Sequence, residues 1–275
     1  MKKLFSLILL LAGFGTASAQ VDTIFTHESP IPCKITEITE TGVKFCYPGE
    51  DLTNTISKNS ITSIVYKSGR IQQFSNRTAF RILKSPLEWQ QVSLTQVEGE
   101  VAGLFKIDDV SSKAKGTTEL SNQERVKRRA LDKLKMQAAM LGGNVIYMLN
   151  MRTEGNKINS WTGMSSSAEA SFMGAVYSSK VPNFNQVQNL LGDQSIFSVV
   201  EELSYTNNST KINSNDTNTT FTLHRVYDDN GNVMVEGEIP GCKETTFRVT
   251  FCNQDSIYIL YSTRRGTYTY KVMAQ

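Results

Sequence analysis

The chain is poor in the residues on which most metal and hydrolytic chemistry rests. Its 275 residues include two histidines, His27 and His224, two tryptophans and four cysteines. Imidazole and thiolate must converge at close spacing to hold a transition metal, and the two histidines lie far apart in the chain. Carboxylates such as Asp108, Asp109 and Glu154 remain as ligands, and they read as solvated surface acids, so no metal site is assigned. A serine or cysteine nucleophile works with a histidine base oriented by a third group. Neither histidine sits in such a motif, so no catalytic residue is assigned. No phosphate-binding glycine loop is present, because Gly99 and Gly103 fall within a strand-like pattern, and no cofactor is implied. Paired carboxylates of the glycosidase kind stay open, since their geometry is tertiary.

An excess of one charge is lacking as well. Lysine and arginine number 29 against 26 acids, and setting aside Lys2 and Lys3 leaves 27. That balance gives no support for nucleic acid or an acidic membrane as partner. Apolar runs are short: Leu4 to Gly13 is too brief to span a bilayer comfortably. It follows Lys2-Lys3 and precedes Ala17-Ser18-Ala19, whose small residues suit signal peptidase. Residues 1–19 therefore read as a signal peptide, cleaved after Ala19 to leave Gln20 as the mature terminus, and the protein as periplasmic or extracellular. No cysteine follows the cleavage site to take a lipid, and no second run reaches membrane length, so the mature chain is not expected to be an integral membrane protein.

Cys33, Cys46, Cys242 and Cys252 suit an oxidising compartment. Cys33 and Cys46 fall on consecutive predicted strands around Thr41-Gly42, where a cross-strand disulfide is one reading and free buried thiols the other. Cys242 and Cys252 bracket a single strand whose ends lie ~33 Å apart, too far for a bond between them.

What the sequence does contain divides into three regions. Residues 20–80 alternate short β-branched and aromatic runs with Pro30, Pro32, Gly42, Pro48-Gly49 and Ser68-Gly69, which predicts a β meander closing into a small barrel. Residues 85–180 open with an expected strand over 96–105 and a polar connection. A helix follows, capped by Ser121 with Glu124 three residues on. Val126, Ala130, Leu134, Ala138 and Leu141 share its apolar face, and Gly142-Gly143 stops it. Val145 to Leu149 then reads as a buried strand, and Ala170 to Tyr177 as another. Residues 181–275 carry a short helix over 186–191, a polar loop at 206–220, and a second meander. Its clearest signal is Asp229-Asn230-Gly231-Asn232, an Asn-Gly hairpin turn. The expected fold class is α+β, with two small all-β barrel-like domains flanking a central α+β domain.

The run Ala138-Ala139-Met140-Leu141-Gly142-Gly143-Asn144-Val145-Ile146 resembles the helix-to-strand signature of the YbjQ-like family, related in fold to RcsF-type envelope domains. Val97-Glu98-Gly99-Glu100-Val101 is similar to that family's opening strand, and Phe172-Met173-Gly174-Ala175-Val176 to its closing one. The similarity covers about residues 94–180. It implies an envelope role and self-association into a homo-oligomer through the central domain. The family's metal-binding description has no histidine or cysteine here to carry it.

The strongest candidate binding residues are Arg125, Arg128, Arg129 and Lys133, a basic cluster suited to an anionic envelope lipid, an envelope glycan or a partner protein, with the solvated face of a helix as the plainer alternative. The expectation is a non-enzymatic envelope protein acting as an interaction or assembly module. A ligand- or metal-binding sensor of the RcsF kind comes second, and an uncharacterised hydrolase third.

Overall fold

The computed structural model describes residues 21–26, 29–39, 41–74, 80–117, 122–155, 157–158, 165–206 and 208–274. The export signal, Gln20, His27 and Ser121 lie outside the described residues. The chain forms two compact units, Met1–Asn76 and Arg77–Gln275.

Among its described residues the first unit has six short strands: β1 (Asp22–Thr26), β2 (Pro30–Ile38), β3 (Gly42–Cys46), β4 (Asn54–Ser57), β5 (Ile61–Val65) and β6 (Ile71–Gln73). They pair in the order β4-β3-β2-β1-β5-β6. Gly49 and Gly69 take φ of 85° and 81° in the turns, where a residue with a Cβ is strained. Alternate residues turn inward to one core of Ile24, Cys33, Val43, Phe45, Ile61 and Ile64.

The second unit begins with β7 (Ser93–Thr95), the single turn α1 (Glu98–Val101), β8 (Phe105–Lys115) and the long helix α2 (Gln123–Met140). β9 (Val145–Glu154), a two-residue ladder of β10 (Lys157–Ile158) and β11 (Ser165–Ser166), and β12 (Glu169–Ser178) follow. The sheet order is β7-β9-β12-β8, with β7 parallel to β9 and the rest antiparallel. After the helix α3 (Phe184–Leu191) come β13 (Ile196–Tyr205), β14 (Asn213–Asp229), β15 (Asn232–Glu238), β16 (Thr246–Cys252), β17 (Ser256–Ser262) and β18 (Thr267–Met273), which close into a six-stranded barrel.

Local chemistry sets the ends of α2. The Asn122 side chain accepts from the Arg125 N–H at 3.1 Å, satisfying one of the orphan amides of the first turn. At the other end the Gly143 N–H reaches the Ala138 carbonyl at 2.9 Å and the Gly142 N–H reaches Ala139 at 3.0 Å. This Schellman closure needs a left-handed residue, and Gly142 supplies it with φ 85°. The hairpin at Asn230-Gly231 forms as its sequence dictates, with φ of 53° and 85° between the paired Asp229 and Asn232.

The α+β expectation is overturned. Strands account for 52% of the structure and helix for 17%, so the protein is predominantly all-β. Two readings undercount strand. Residues 105–115, expected as a polar connection, are β8. Its inward residues are the small Val110, Ser112 and Ala114, so hydrophobic alternation is faint. Asn213 to Thr220, expected within a solvated loop, open β14, where threonine at 217, 219 and 220 suits extended backbone. Conversely, Glu98–Val101 is helical rather than part of an opening strand.

No separate α+β domain occupies the middle of the chain, because α2 is buried from two sides. Its Val126, Ala130, Leu134, Met136, Ala138, Ala139 and Met140 share one core with Phe172 and Val176 of the sheet and with Leu203, Tyr205, Phe251 and Tyr258 from the barrel wall. Polar ties also join the layers. The Tyr205 hydroxyl donates to the Lys133 carbonyl at 3.4 Å, and Arg248 Nη2 donates to the Leu141 carbonyl at the end of α2 at 2.9 Å. A cation at a helix C-terminus is electrostatically favoured. The barrel interior is a second core of Phe197, Val199, Phe221, Val235, Phe247, Ile257 and Ile259, joined by Val187 and Leu191 of α3.

Candidate functional site

A groove of about 690 Å³ lies on the second unit, within the range of ligand sites. Three stretches build it. One wall is Ile82 to Ser85, another Lys180 to Pro182 with Gln186, and the floor is the end of β16 and the turn into β17, from Thr250 to Ser256, with Tyr258 and Lys271. Three lysines, Lys84, Lys180 and Lys271, line it against one acid, Asp255.

The walls are held in place by amide side chains. Asn144, only 3% exposed, donates from Nδ2 to the Arg81 carbonyl at 3.1 Å and to Ser179 Oγ at 2.7 Å. Its Oδ1 accepts the Ser179 N–H at 3.0 Å. One residue thus ties the irregular segment leading into one wall to the end of β12 leading into the other. Across the groove, Asn253 Nδ2 donates to the Lys84 carbonyl at 3.1 Å. The Lys84 N–H is taken by the Glu88 carboxylate at 3.0 Å. Cys252 lines the groove floor while packing against the barrel core; burial raises its thiol, an effect that Lys180 partly offsets, so it is a neutral lining group rather than a thiolate nucleophile.

The basic residues singled out on α2 do not converge on this groove. Arg125 and Arg128 are exposed, while Arg129 and Lys133 are half-buried. The Arg129 Nε is buried without a hydrogen-bond partner among the described residues. Lys135, on the same helix, spends its Nζ on the Gln90 carbonyl at 3.2 Å. With its apolar side buried in the shared core, α2 leaves Arg125 and Arg128 at the surface. Lys84, Lys180 and Lys271 share no spacing by which sequence could group them; the legible signal beside them is Asn144, which closes the Leu141-Gly142-Gly143 run.

All four cysteines are free, so the Cys33–Cys46 disulfide is not formed. The register explains this: Lys34, not Cys33, lies opposite Cys46, and successive residues of a strand point to opposite faces. Cys33 is fully buried in the core of the first unit. Burial there, with Asp22 nearby, pushes its thiol from 9.0 to about 11. A raised folded-state pKa means stability present below pH 9 and lost as the pH climbs toward 11. Denaturant titrations of the full chain should show the first unit losing about 2 kcal/mol more over that window than a Cys33→Ala variant does. Parallel alkaline slopes would refute the assignment.

His224 is exposed on β14, and no group of three histidine, cysteine or acidic side chains fit to hold a metal occurs among the described residues. No helix among the described residues is long and apolar enough to cross a membrane. A second polar cluster lies within the barrel, where Tyr261 stacks on Tyr268 at 5.0 Å and on Tyr270 at 6.0 Å. Burial pushes the Tyr261 phenol up to about 12. The Tyr270 hydroxyl reaches Glu202 Oε1 at 3.5 Å.

Comparison of the chain with protein-family models, with curated proteins and with solved structures gives no match.

Proposed function

We propose that this protein is an exported, non-enzymatic interaction module of the cell envelope, and that the groove between Ile82–Ser85, Lys180–Pro182 and Thr250–Ser256 is the seat for its partner. The observation that carries this reading is the groove itself: about 690 Å³, open, and lined by three lysines and one acid. Ionisable groups matched in tandem, such as a base held beside a nucleophile, are what hydrolysis would need. The lining offers instead separated cations and neutral amides, a set that binds and orients. Export by way of residues 1–19 puts the mature chain where envelope partners are met.

Co-sedimentation tests the reading. Mature protein beginning at Gln20 is expected to sediment with envelope fractions of the producing cell. A Lys84→Glu, Lys180→Glu, Lys271→Glu variant is expected in the supernatant, with its thermal unfolding unchanged because the side chains altered are on the surface. Equal sedimentation of the two proteins would remove the groove from the function.

A further inference from the structure

The character of the groove narrows its occupant. Three lysines and one acid, Asp255, line the groove, with Glu88 and Glu201 acting on Tyr258 from just outside the lining, so the charge the lining itself presents is cationic and complements an anionic ligand. The neutral part of the lining distinguishes among anions. Its two aromatic rings, Phe251 and Tyr258, are 6% and 4% exposed and pack edge to face against each other at 5.8 Å. They present no open ring face for a sugar to stack on. The accessible apolar surface is aliphatic: Ile82 is 48% exposed, with Val181 and Pro182 half-buried beside it. Aliphatic surface interleaved with separated lysines matches a chain that alternates aliphatic and carboxylate side chains. Gln186 and Gln254, both exposed on the rim, have amides of the kind that pair with a backbone.

We propose that the groove binds an extended acidic segment of a partner protein, with Lys84, Lys180 and Lys271 meeting its carboxylates and Ile82, Val181 and Pro182 meeting its aliphatic side chains. This rests on the reading of the groove as the partner's seat and names the chemistry of what sits there. Lysines on long flexible stems tolerate variation in carboxylate position. The groove therefore selects charge and aliphatic pattern rather than one sequence. Binding weakens with salt, as it does for exposed charges.

The probe is a fluorescein-labelled octapeptide alternating glutamate with leucine, titrated by anisotropy against the full mature chain. A lysine–leucine octapeptide, polygalacturonate and inorganic phosphate serve as comparisons. The acidic peptide is expected to bind, the basic one not. Lys84→Gln, Lys180→Gln and Lys271→Gln together should weaken binding on the order of 30-fold, each exposed ion pair contributing a few-fold. Ile82→Ser should weaken the leucine peptide and leave a glutamate–serine peptide unchanged. Independently of any variant, bound peptide should slow thiol labelling of Cys252, read by mass spectrometry of its tryptic fragment. Polygalacturonate or phosphate binding as tightly as the peptide, with the same lysine dependence, would overturn the peptide assignment while leaving the groove as a binding seat. Peptide binding that ignores the lysines and leaves Cys252 labelling unchanged overturns it too. Co-sedimentation that still depends on those lysines would then show that the broader reading survives.

Discussion

Gly143→Ala is expected to destabilise the second unit by about 3 kcal/mol, the upper range for overpacking a well-filled core. Gly143 has no need of a positive φ; its requirement is space. A Cβ there would overlap Val176 Cγ1 and sit 3.2 Å from the Tyr177 carbonyl oxygen and 3.4 Å from that of Ala138. Val176 is fully buried in the shared core, so it has nowhere to turn, and the two carbonyls belong to backbone. The neighbouring Gly142 fails differently. Its φ of 85° makes any side chain strained, and its Cβ would meet the Thr250 carbonyl on β16 at 3.0 Å. Gly142→Ala is governed by that strain, about 1–2 kcal/mol. A double-mutant cycle separates the causes. Val176→Ala should recover a substantial part of the Gly143→Ala loss and none of the Gly142→Ala loss, with urea midpoints as the readout. Additive losses for Gly143→Ala and Val176→Ala would show that the clash is not the mechanism.

The features legible in the sequence are those decided within a few residues. Gly142-Gly143 as a helix stop and Asn230-Gly231 as a hairpin turn depend on backbone angles that few residues tolerate, so composition reveals them. The inner face of α2 is likewise written in Val126, Ala130, Leu134 and Ala138. What failed depended on partners remote in the chain. Ser112 looks like a surface residue, yet it is 7% exposed because its hydroxyl donates to the Ala130 carbonyl at 2.7 Å. The β8 strand is therefore polar on a buried face, and its pattern reads as loop. Cys33 and Cys46 are close in sequence, but a one-residue offset in register puts them on opposite faces. The groove was the least legible of all. Its lysines come from residues 84, 180 and 271, and only the folding of β12, the barrel and the Ile82–Ser85 segment together places them around one concavity. The basic cluster on α2 is legible because it is contiguous in sequence, whereas the groove lysines are not.

Asn144→Ala should couple stability to the shape of the groove more directly than any lysine substitution. The side chain is buried and fully engaged: two donations, to the Arg81 carbonyl and Ser179 Oγ, and one acceptance, from the Ser179 N–H. Its own backbone is also spoken for, with the N–H on Tyr177 and the carbonyl receiving Ser93. Truncation leaves β9 paired but strands the Arg81 carbonyl and the Ser179 N–H. Arg81 is exposed and Ser179 half-buried, so solvent replaces part of what is lost, and about 2 kcal/mol is expected for the pair at an unchanged denaturant slope. Ser179→Ala removes one bond and keeps the link to Arg81, so it should cost about 1 kcal/mol. The functional consequence follows from position. Arg81 precedes the Ile82–Ser85 wall and Ser179 precedes Lys180, so without Asn144 the two walls are no longer tied through one amide. Cys252 on the floor should then be labelled faster in Asn144→Ala than in wild type under native conditions, with Ser179→Ala in between. If Asn144→Ala shifts the urea midpoint as predicted but leaves Cys252 labelling at the wild-type rate, the residue stabilises the unit without positioning the groove. If neither changes, the three hydrogen bonds contribute nothing that solvent does not replace.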